Sequence, residues 1–294
     1  MEDTLTSRKP RTRDDLLFDG LINGILLFVL IVTLIPLVYV VMVSVTPMGE
    51  KSSLFLPPTQ WSFSAYIELL KQPAMLRAGL NSVIITVGGV LVSMIVTVLT
   101  AYPLSRRDLP GRKIISGLIL FTFLFNAGLI PLYLVIRDLG LINSYWALLL
   151  NGAVSVYNLF VMKNFFENLP DSLEEAARID GASELQILWH IVMPLSKPIL
   201  LTIGLFYAVT SWNNFFDPIL FFSDREMMPL PVILRDILTG LNSADYAEST
   251  SNTTSHPEAL KMAAVVLTTL PMLLIYPWIQ KYFTRGTLTG GVKE

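Results

Sequence analysis

The chain has 294 residues, 53% of them apolar and 15% charged, with a formal net charge of −2 and no cysteine. Soluble domains carry about 25% charged residues, so this composition excludes an ordinary globular enzyme, and with no basic excess it gives no footing for nucleic acid. The absence of cysteine excludes disulfides, thiolate catalysis and a cysteine zinc site, and two distant histidines, His190 and His256, do not make a metal centre.

A helix that crosses a bilayer needs about 20 mostly apolar residues. Six runs meet or approach that length: 21–43, 82–101, 114–136, 145–162, 198–222 and 262–279. The first, second, third and fifth read as long and clean. The fourth is short and holds Asn151 and Asn158, and the sixth is interrupted by Pro271 and Pro277. None alternates in polarity, so the expectation is an all-α membrane protein of six transmembrane helices, not a barrel.

The N-terminal segment, 1–20, carries Arg8, Lys9, Arg11 and Arg13 ahead of the first run. That run is too long for a signal peptide and reads as a retained anchor. Gly20 and Gly24 at its mouth have the spacing of a helix-dimer motif, but chance spacing explains them better. Loop one, 44–81, holds Pro57-Pro58 and an amphipathic stretch with Tyr66, Leu69 and Leu70, expected to lie at the interface. Loop five, 223–261, divides into an apolar part, 229–240, that predicts a short surface helix, and a polar part, 245–257, in which Asn252-Thr253-Thr254 is a chance glycosylation match.

Orientation follows from lysine and arginine counts, because these residues concentrate on the cytoplasmic side. The N-terminal segment, loops two and four and the tail, 280–294, together hold 14, whereas the longer loops on the opposite side hold 7. Six spans with both termini cytoplasmic satisfy this asymmetry.

Loop four, 163–197, is patterned rather than tether-like. Pro170 precedes Asp171, which reads as an N-cap, with Glu174 three residues on. Leu173, Ala176 and Ala177 follow at helical spacing, and Gly181 ends the helix as a residue free to take positive φ. Ser183 and Gln186 make a second capping box. Leu185, Leu188, Trp189 and Val192 then share a face until Pro194. Two short helices joined by a glycine turn are expected against the cytoplasmic face.

Glu175-Ala176-Ala177, Gly181 and Ile191-Val192-Met193-Pro194 stand at the offsets of the EAA loop of ABC importer permeases, which this chain resembles; Met193 replaces the usual leucine. The resemblance extends from about residue 20 to the end, through Asn81-Ser82, Ala101-Tyr102, Arg106, Pro110-Gly111-Arg112, Ile130-Pro131-Leu132 and Tyr282-Phe283 with Arg285-Gly286. These look like the carbohydrate branch. Trp212 to Pro218 looks like its subgroup for larger saccharides, the alginate-import permeases most of all.

The resemblance implies a type I permease architecture, a single transmembrane domain over 21–294 and a multi-pass place in a bacterial cytoplasmic (inner) membrane. It also implies partners: a second, different permease chain, two ATPase subunits and a soluble periplasmic or extracellular binding protein for the saccharide. The chain has no G-x-x-x-x-G-K-[ST], so it lacks the phosphate cradle. It is therefore not expected to be an enzyme, and holds no cofactor itself; ATP and Mg belong to the ATPase. Glu174, Glu175, Ala176, Ala177, Asp180, Gly181 and Pro194 are the coupling candidates by resemblance.

The expected substrate path runs along the fifth span, where aromatic faces and amides suit sugar rings and hydroxyls: Tyr207, Ser211, Trp212, Asn213, Asn214, Phe215, Phe216 and Asp217. Asn126, Tyr133, Asn151, Tyr157 and Asn158 add polar groups from spans three and four. Helix packing explains such residues too. No lysine or arginine lies in a span core, so an alginate-like uronate chain, the favoured substrate, would meet cations only at span ends or on the other permease. The alternatives are an ABC permease for a different oligosaccharide, or for amino acids or peptides, and an ion-coupled secondary transporter. The last would show an intramembrane acid cluster or inverted repeats. An intramembrane enzyme would need more than Asp217, the one acid near a span.

Overall fold

The computed structural model describes residues 13–47, 50, 58–240 and 257–287. The polar part of loop five, its Asn252-Thr253-Thr254 and most of the N-terminal segment lie outside these. Among the described residues the chain is helical, with no strand element. Two compact units are distinguished, 1–68 with 252–266 and 69–251 with 267–294.

The first unit contains α1 (Arg13–Ser44), the start of α2 (Ser64–Lys71) and the start of α14 (Pro257–Thr287). The anchor helix begins at Arg13, inside the segment read as an N-terminal extension, and its apolar side chains are almost all exposed, as a lipid-facing helix requires. The amphipathic stretch of loop one is helical, and the Ser44 and Tyr66 hydroxyls share a hydrogen bond of 2.6 Å.

The second unit is built around α3 (Pro73–Ser105), a 33-residue helix long enough to cross the membrane. The other spans here are bent. The third, read as unbroken, is α4 (Arg112–Leu124) followed by α5 (Leu129–Asp138) at 114°. Gly128 sits at φ +89 and its N–H donates to Asn126 Oδ1 at 2.8 Å, so a glycine–asparagine turn interrupts a run that hydropathy averages smooth. The fourth is α6 (Tyr145–Asn151) and α7 (Val156–Glu167), bent 51°. The fifth is α11 (Lys197–Asn213), with α12 (Phe216–Phe221) split off after Asn213.

The sixth run reverses the expectation in the other direction. Pro271 and Pro277 lie inside α14, which continues unbroken to Thr287 and absorbs the start of the tail. Membrane helices tolerate proline where the freed carbonyl finds another partner. Among the described residues, three helices are long and apolar enough to cross a membrane, and three bent pairs, the third being Glu184–Leu195 with α11, bring the candidate spans to as many as six.

In loop four, α8 (Asp171–Ile179) is followed by α9 (Glu184–Ile187), a π turn (Leu188–Val192) and α10 (Met193–Leu195). This stretch meets α11 at 85°. The surface helix of loop five is α13 (Leu230–Thr239), closed by Gly240 at φ +67. The core of the unit joins Val98, Ala101 and Tyr102 of α3 to Leu159, Met162 and Phe166 of α7, Ile203 and Tyr207 of α11, and Ile187, Leu188 and Val192 of the loop.

Candidate substrate cleft and coupling loop

Two places in the second unit gather polar side chains. The larger is a cleft of about 700 Å³ between α3, the α6–α7 break, α11 and α12. It exists because the helices are broken there. A break in a span leaves backbone groups unpaired, which lipid does not satisfy; here neighbouring side chains do. Ser93 Oγ on α3 donates to Gly152 O at 2.9 Å. The Ser155 N–H donates to the Tyr207 hydroxyl at 3.0 Å, and that hydroxyl shares a 2.7 Å hydrogen bond with Thr97 Oγ1. Gly89 lets α11 come close: a Cβ there would lie 2.9 Å from Ser211 Oγ.

At the head of the cleft the two breaks meet. Asn151, last in α6, and Asn214, between α11 and α12, both donate side-chain N–H to Asp217 Oδ2, at 3.1 and 2.9 Å. The Asp217 N–H donates to Asn214 Oδ1 at 3.2 Å. The acid that stands alone in the sequence is thus the acceptor of an amide pair, and no lysine or arginine among the described residues lines the cleft. Such a wall offers hydroxyl, amide and aromatic groups with one carboxylate, the donor and acceptor set that suits a polyhydroxylated ligand.

Of the expected path residues, Tyr207, Ser211, Asn214 and Asp217 line the cleft, as do Asn151, Tyr157 and Asn158. The others do not. Trp212 is 6% exposed and its Nε1–H donates to Thr268 O of α14 at 3.0 Å. Asn213 turns back to Val209 O at 3.0 Å, and Phe215 and Phe216 are half-exposed off the cleft. Asn126 holds its turn, and Tyr133 stacks on Phe221 with ring centroids 6.5 Å apart. A sequence with no apolar–polar asymmetry along α11 gives no sign of which face turns inward. Ser93, Ser155 and Gly89 were missed because each reads as an ordinary small residue in a span.

Trp212 is therefore a packing residue. Trp212→Ala empties a large buried volume, at a cost of about 3–5 kcal/mol in soluble cores, and removes the Nε1–H bond to the Thr268 carbonyl. The expected result is less folded permease in the membrane, measured by size-exclusion recovery in detergent, with transport per folded molecule little changed. Trp212→Phe keeps most of the packing and should recover most of the yield.

The second place is loop four. Pro170, not Asp171, occupies the N-cap of α8, and Asp171 is its first helical residue. Glu174 does not cap the helix either. It is buried and ion-paired to Arg106, just beyond α3. Glu175, Ala176, Asp180, Gly181 and Pro194 are exposed, and Ala177 packs on the core. Gly181 takes φ +83, with Gly181 N–H donating to Arg178 O and Ala182 N–H to Ala177 O, both at 3.0 Å. This is the bond pair of a glycine-terminated helix. The Ser183–Gln186 capping box forms as expected, at 2.8 and 3.4 Å.

The apolar face read from Leu185, Leu188, Trp189 and Val192 divides in two. Ile187 at the end of α9 and Leu188 and Val192 of the π turn pack in the core, while Leu185 and Trp189 are 62% and 56% exposed and Ile179 is 86% exposed. Pro194 explains the widened turn: it has no N–H, and an α-helical register would press its ring on the carbonyl four residues back. Glu184 receives hydrogen bonds from Arg178 Nε at 2.8 Å and the Tyr102 hydroxyl at 2.9 Å. The Arg178 bond holds the Glu184 carboxyl below the usual carboxylate value. Its contribution to stability is accordingly present above the unfolded value and lost only as pH falls through the lowered one.

Residues 15–289 match the family described as binding-protein-dependent transport system inner membrane component. The chain is 44% identical over 282 residues to the polygalacturonan/rhamnogalacturonan transport system permease protein YtcP of Bacillus subtilis (strain 168), covering 94% of this chain and 98% of the relative. It is 31% identical over 264 residues to the melibiose/raffinose/stachyose import permease protein MelC of the same organism, covering 88% and 91%. Among solved structures, it resembles a chain in the crystal structure of a bacterial ABC transporter involved in the import of the acidic polysaccharide alginate. That likeness has a TM-score of 0.86 and 35% identity, over 94% of this chain and all of the other. It bears out the all-α permease architecture.

Proposed function

This chain belongs to the family of inner-membrane components of binding-protein-dependent transport systems, and we propose that within an ATP-driven importer it forms one wall of the path for an oligosaccharide that carries uronate groups. The cleft between the helix breaks carries this reading, with Asn151, Tyr207, Ser211, Asn214 and Asp217 facing the sugar. The relatives support the substrate class: polygalacturonan and alginate, named for two of them, are both chains of uronic acids. Because Asp217 is the one charge among the described residues of this wall, the substrate's carboxylates face the other permease and its hydroxyls face this one.

Residues 163–197 are the joint to the ATPase. Their inner face is fixed in the core, and their outer face presents Glu175, Ile179, Leu185 and Trp189, a short amphipathic element of the kind that seats in a partner's groove. ATP and Mg bind the ATPase subunits, a soluble protein delivers the saccharide, and the second permease is a different chain. Both termini lie on the cytoplasmic side, as the basic residues require.

Vesicles containing this chain, its partner permease and the ATPase, supplied with the binding protein, test the proposal. Uptake of galacturonate or mannuronate oligomers should need both ATP and binding protein. Uptake of peptides in their place, or saccharide uptake driven by an ion gradient without ATP, would overturn it.

A further inference from the structure

We propose that Arg106 and Glu174 are positioning residues that latch the cytoplasmic loop to α3, so that movement of the loop is delivered to the cleft wall as movement of one rigid helix. The inference rests on the reading of the loop as the ATPase joint. Glu174 is the one charged residue buried among the described residues, at 5% exposed, although it stands on a helix otherwise open to water. It is buried because it pairs with Arg106, 68 positions earlier in the chain.

The pair does not stand alone. The Arg106 guanidinium lies 4.3 Å from the centre of the Tyr102 ring, and the Tyr102 hydroxyl donates to Glu184 Oε2 at 2.9 Å. Arg178 Nε donates to Glu184 Oε1 at 2.8 Å, and Arg178 Nη2 lies 3.9 Å from Glu174 Oε2. The end of α3 is thus tied to both loop helices, to α8 through Glu174 and to α9 through Glu184. Apolar contact alone allows one helix to slide over another. A paired carboxylate and guanidinium with a stacked ring fix register as well, because a shifted partner leaves a buried charge unpaired.

From Arg106 the helix runs back to Ser93 and Gly89 in the cleft, about 20–25 Å away at 1.5 Å per residue. Gly89 meets Ser211, and Ser93 holds the carbonyl of Gly152 at the α6–α7 break. A displacement of α8 and α9 is therefore passed along α3 to the residues that shape the cleft. A buried pair adds little net stability over an apolar one, which fits a role in register better than one in folding.

The test uses the assembled transporter in vesicles with its binding protein, and reads three quantities: ATPase co-purified per permease, ATP hydrolysed, and saccharide moved per ATP. Glu174→Gln, which keeps size and removes charge, should keep co-purified ATPase within twofold and cut saccharide per ATP at least fivefold. Arg106→Glu and Glu174→Arg should each cut it tenfold or more, and the two together should restore at least a third of the wild-type ratio. An unchanged ratio in Glu174→Gln overturns the latch, as does a double reversal that assembles but stays uncoupled. The reading of the loop itself fails differently: Trp189→Glu, on the outer face, would then leave co-purified ATPase at the wild-type level.

Discussion

Gly181→Val is expected to leave the permease in the membrane and to separate it from its ATPase. Gly181 holds φ +83, where a β-branched residue is strongly disfavoured. Nothing lies within 4 Å of a Cβ built at this position, so an added β-carbon meets open space and the strain comes from the backbone conformation. The strain is about 1–3 kcal/mol. It is relieved by releasing the two bonds that close α8, Gly181 N–H to Arg178 O and Ala182 N–H to Ala177 O. Those bonds set the angle between α8 and α9, and hence the spacing of Glu175 and Ile179 from Leu185 and Trp189 on the outer face.

At about 1.4 kcal/mol per factor of ten, that strain predicts roughly 5- to 150-fold weaker retention of the ATPase, while the spans, held by their own hydrophobicity, insert normally. Gly181→Asn should be mild, because asparagine tolerates positive φ. Glu175→Ala should fall between the two if its exposed carboxylate meets the ATPase as proposed, and stay near wild type otherwise. ATPase co-purified and saccharide taken up, each normalised to permease in the membrane, are the measurements. Full uptake by Gly181→Val would remove the loop from the coupling path.

The loop was legible because its signals are local. Ser183 and Gln186 are three residues apart, and Gly181 follows a helix whose spacing is plain. The spans were legible as composition and not as shape. The turn at Asn126–Gly128 and the breaks after Asn151 and Asn213 disappear in an average over about 20 residues, and Pro271 and Pro277 suggest a break where none occurs. The pairs that define the two sites were illegible for a different reason. Asp217 finds Asn151 across 66 positions, and Glu174 finds Arg106 across 68. Glu174 was also misdirected by a good local pattern. Its spacing from Asp171 is that of a capping box, and the tertiary ion pair takes precedence over the cap.

Asp217→Leu is expected to lower saccharide uptake about 10- to 100-fold without a matching loss of assembly. The leucine has similar bulk but accepts no hydrogen bond, so the Asn151 and Asn214 amides that met on Oδ2 lose their common acceptor. Hydrogen bonds to a charged group contribute about 1.5–3 kcal/mol each, and an unpaired polar group in a desolvated site costs a similar amount. Each amide then seeks a new partner, and the two helix breaks that Asp217 joins drift from the arrangement that shapes the cleft. Asp217→Asn separates geometry from charge. Its side-chain oxygen still accepts from an amide, so the junction is largely kept, but the negative charge is gone. Uptake of a neutral oligosaccharide should stay within about threefold of wild type, whereas uptake of a uronate oligomer should hold or rise, because like charges repel strongly where water is excluded. A double-mutant cycle with Asn151→Leu locates the effect. Residues in one hydrogen-bond network couple by about 0.5–3 kcal/mol, so the double variant should be little worse than Asp217→Leu alone. Wild-type uptake by an assembled Asp217→Leu transporter would show that the triad only braces the helices and that the saccharide passes elsewhere.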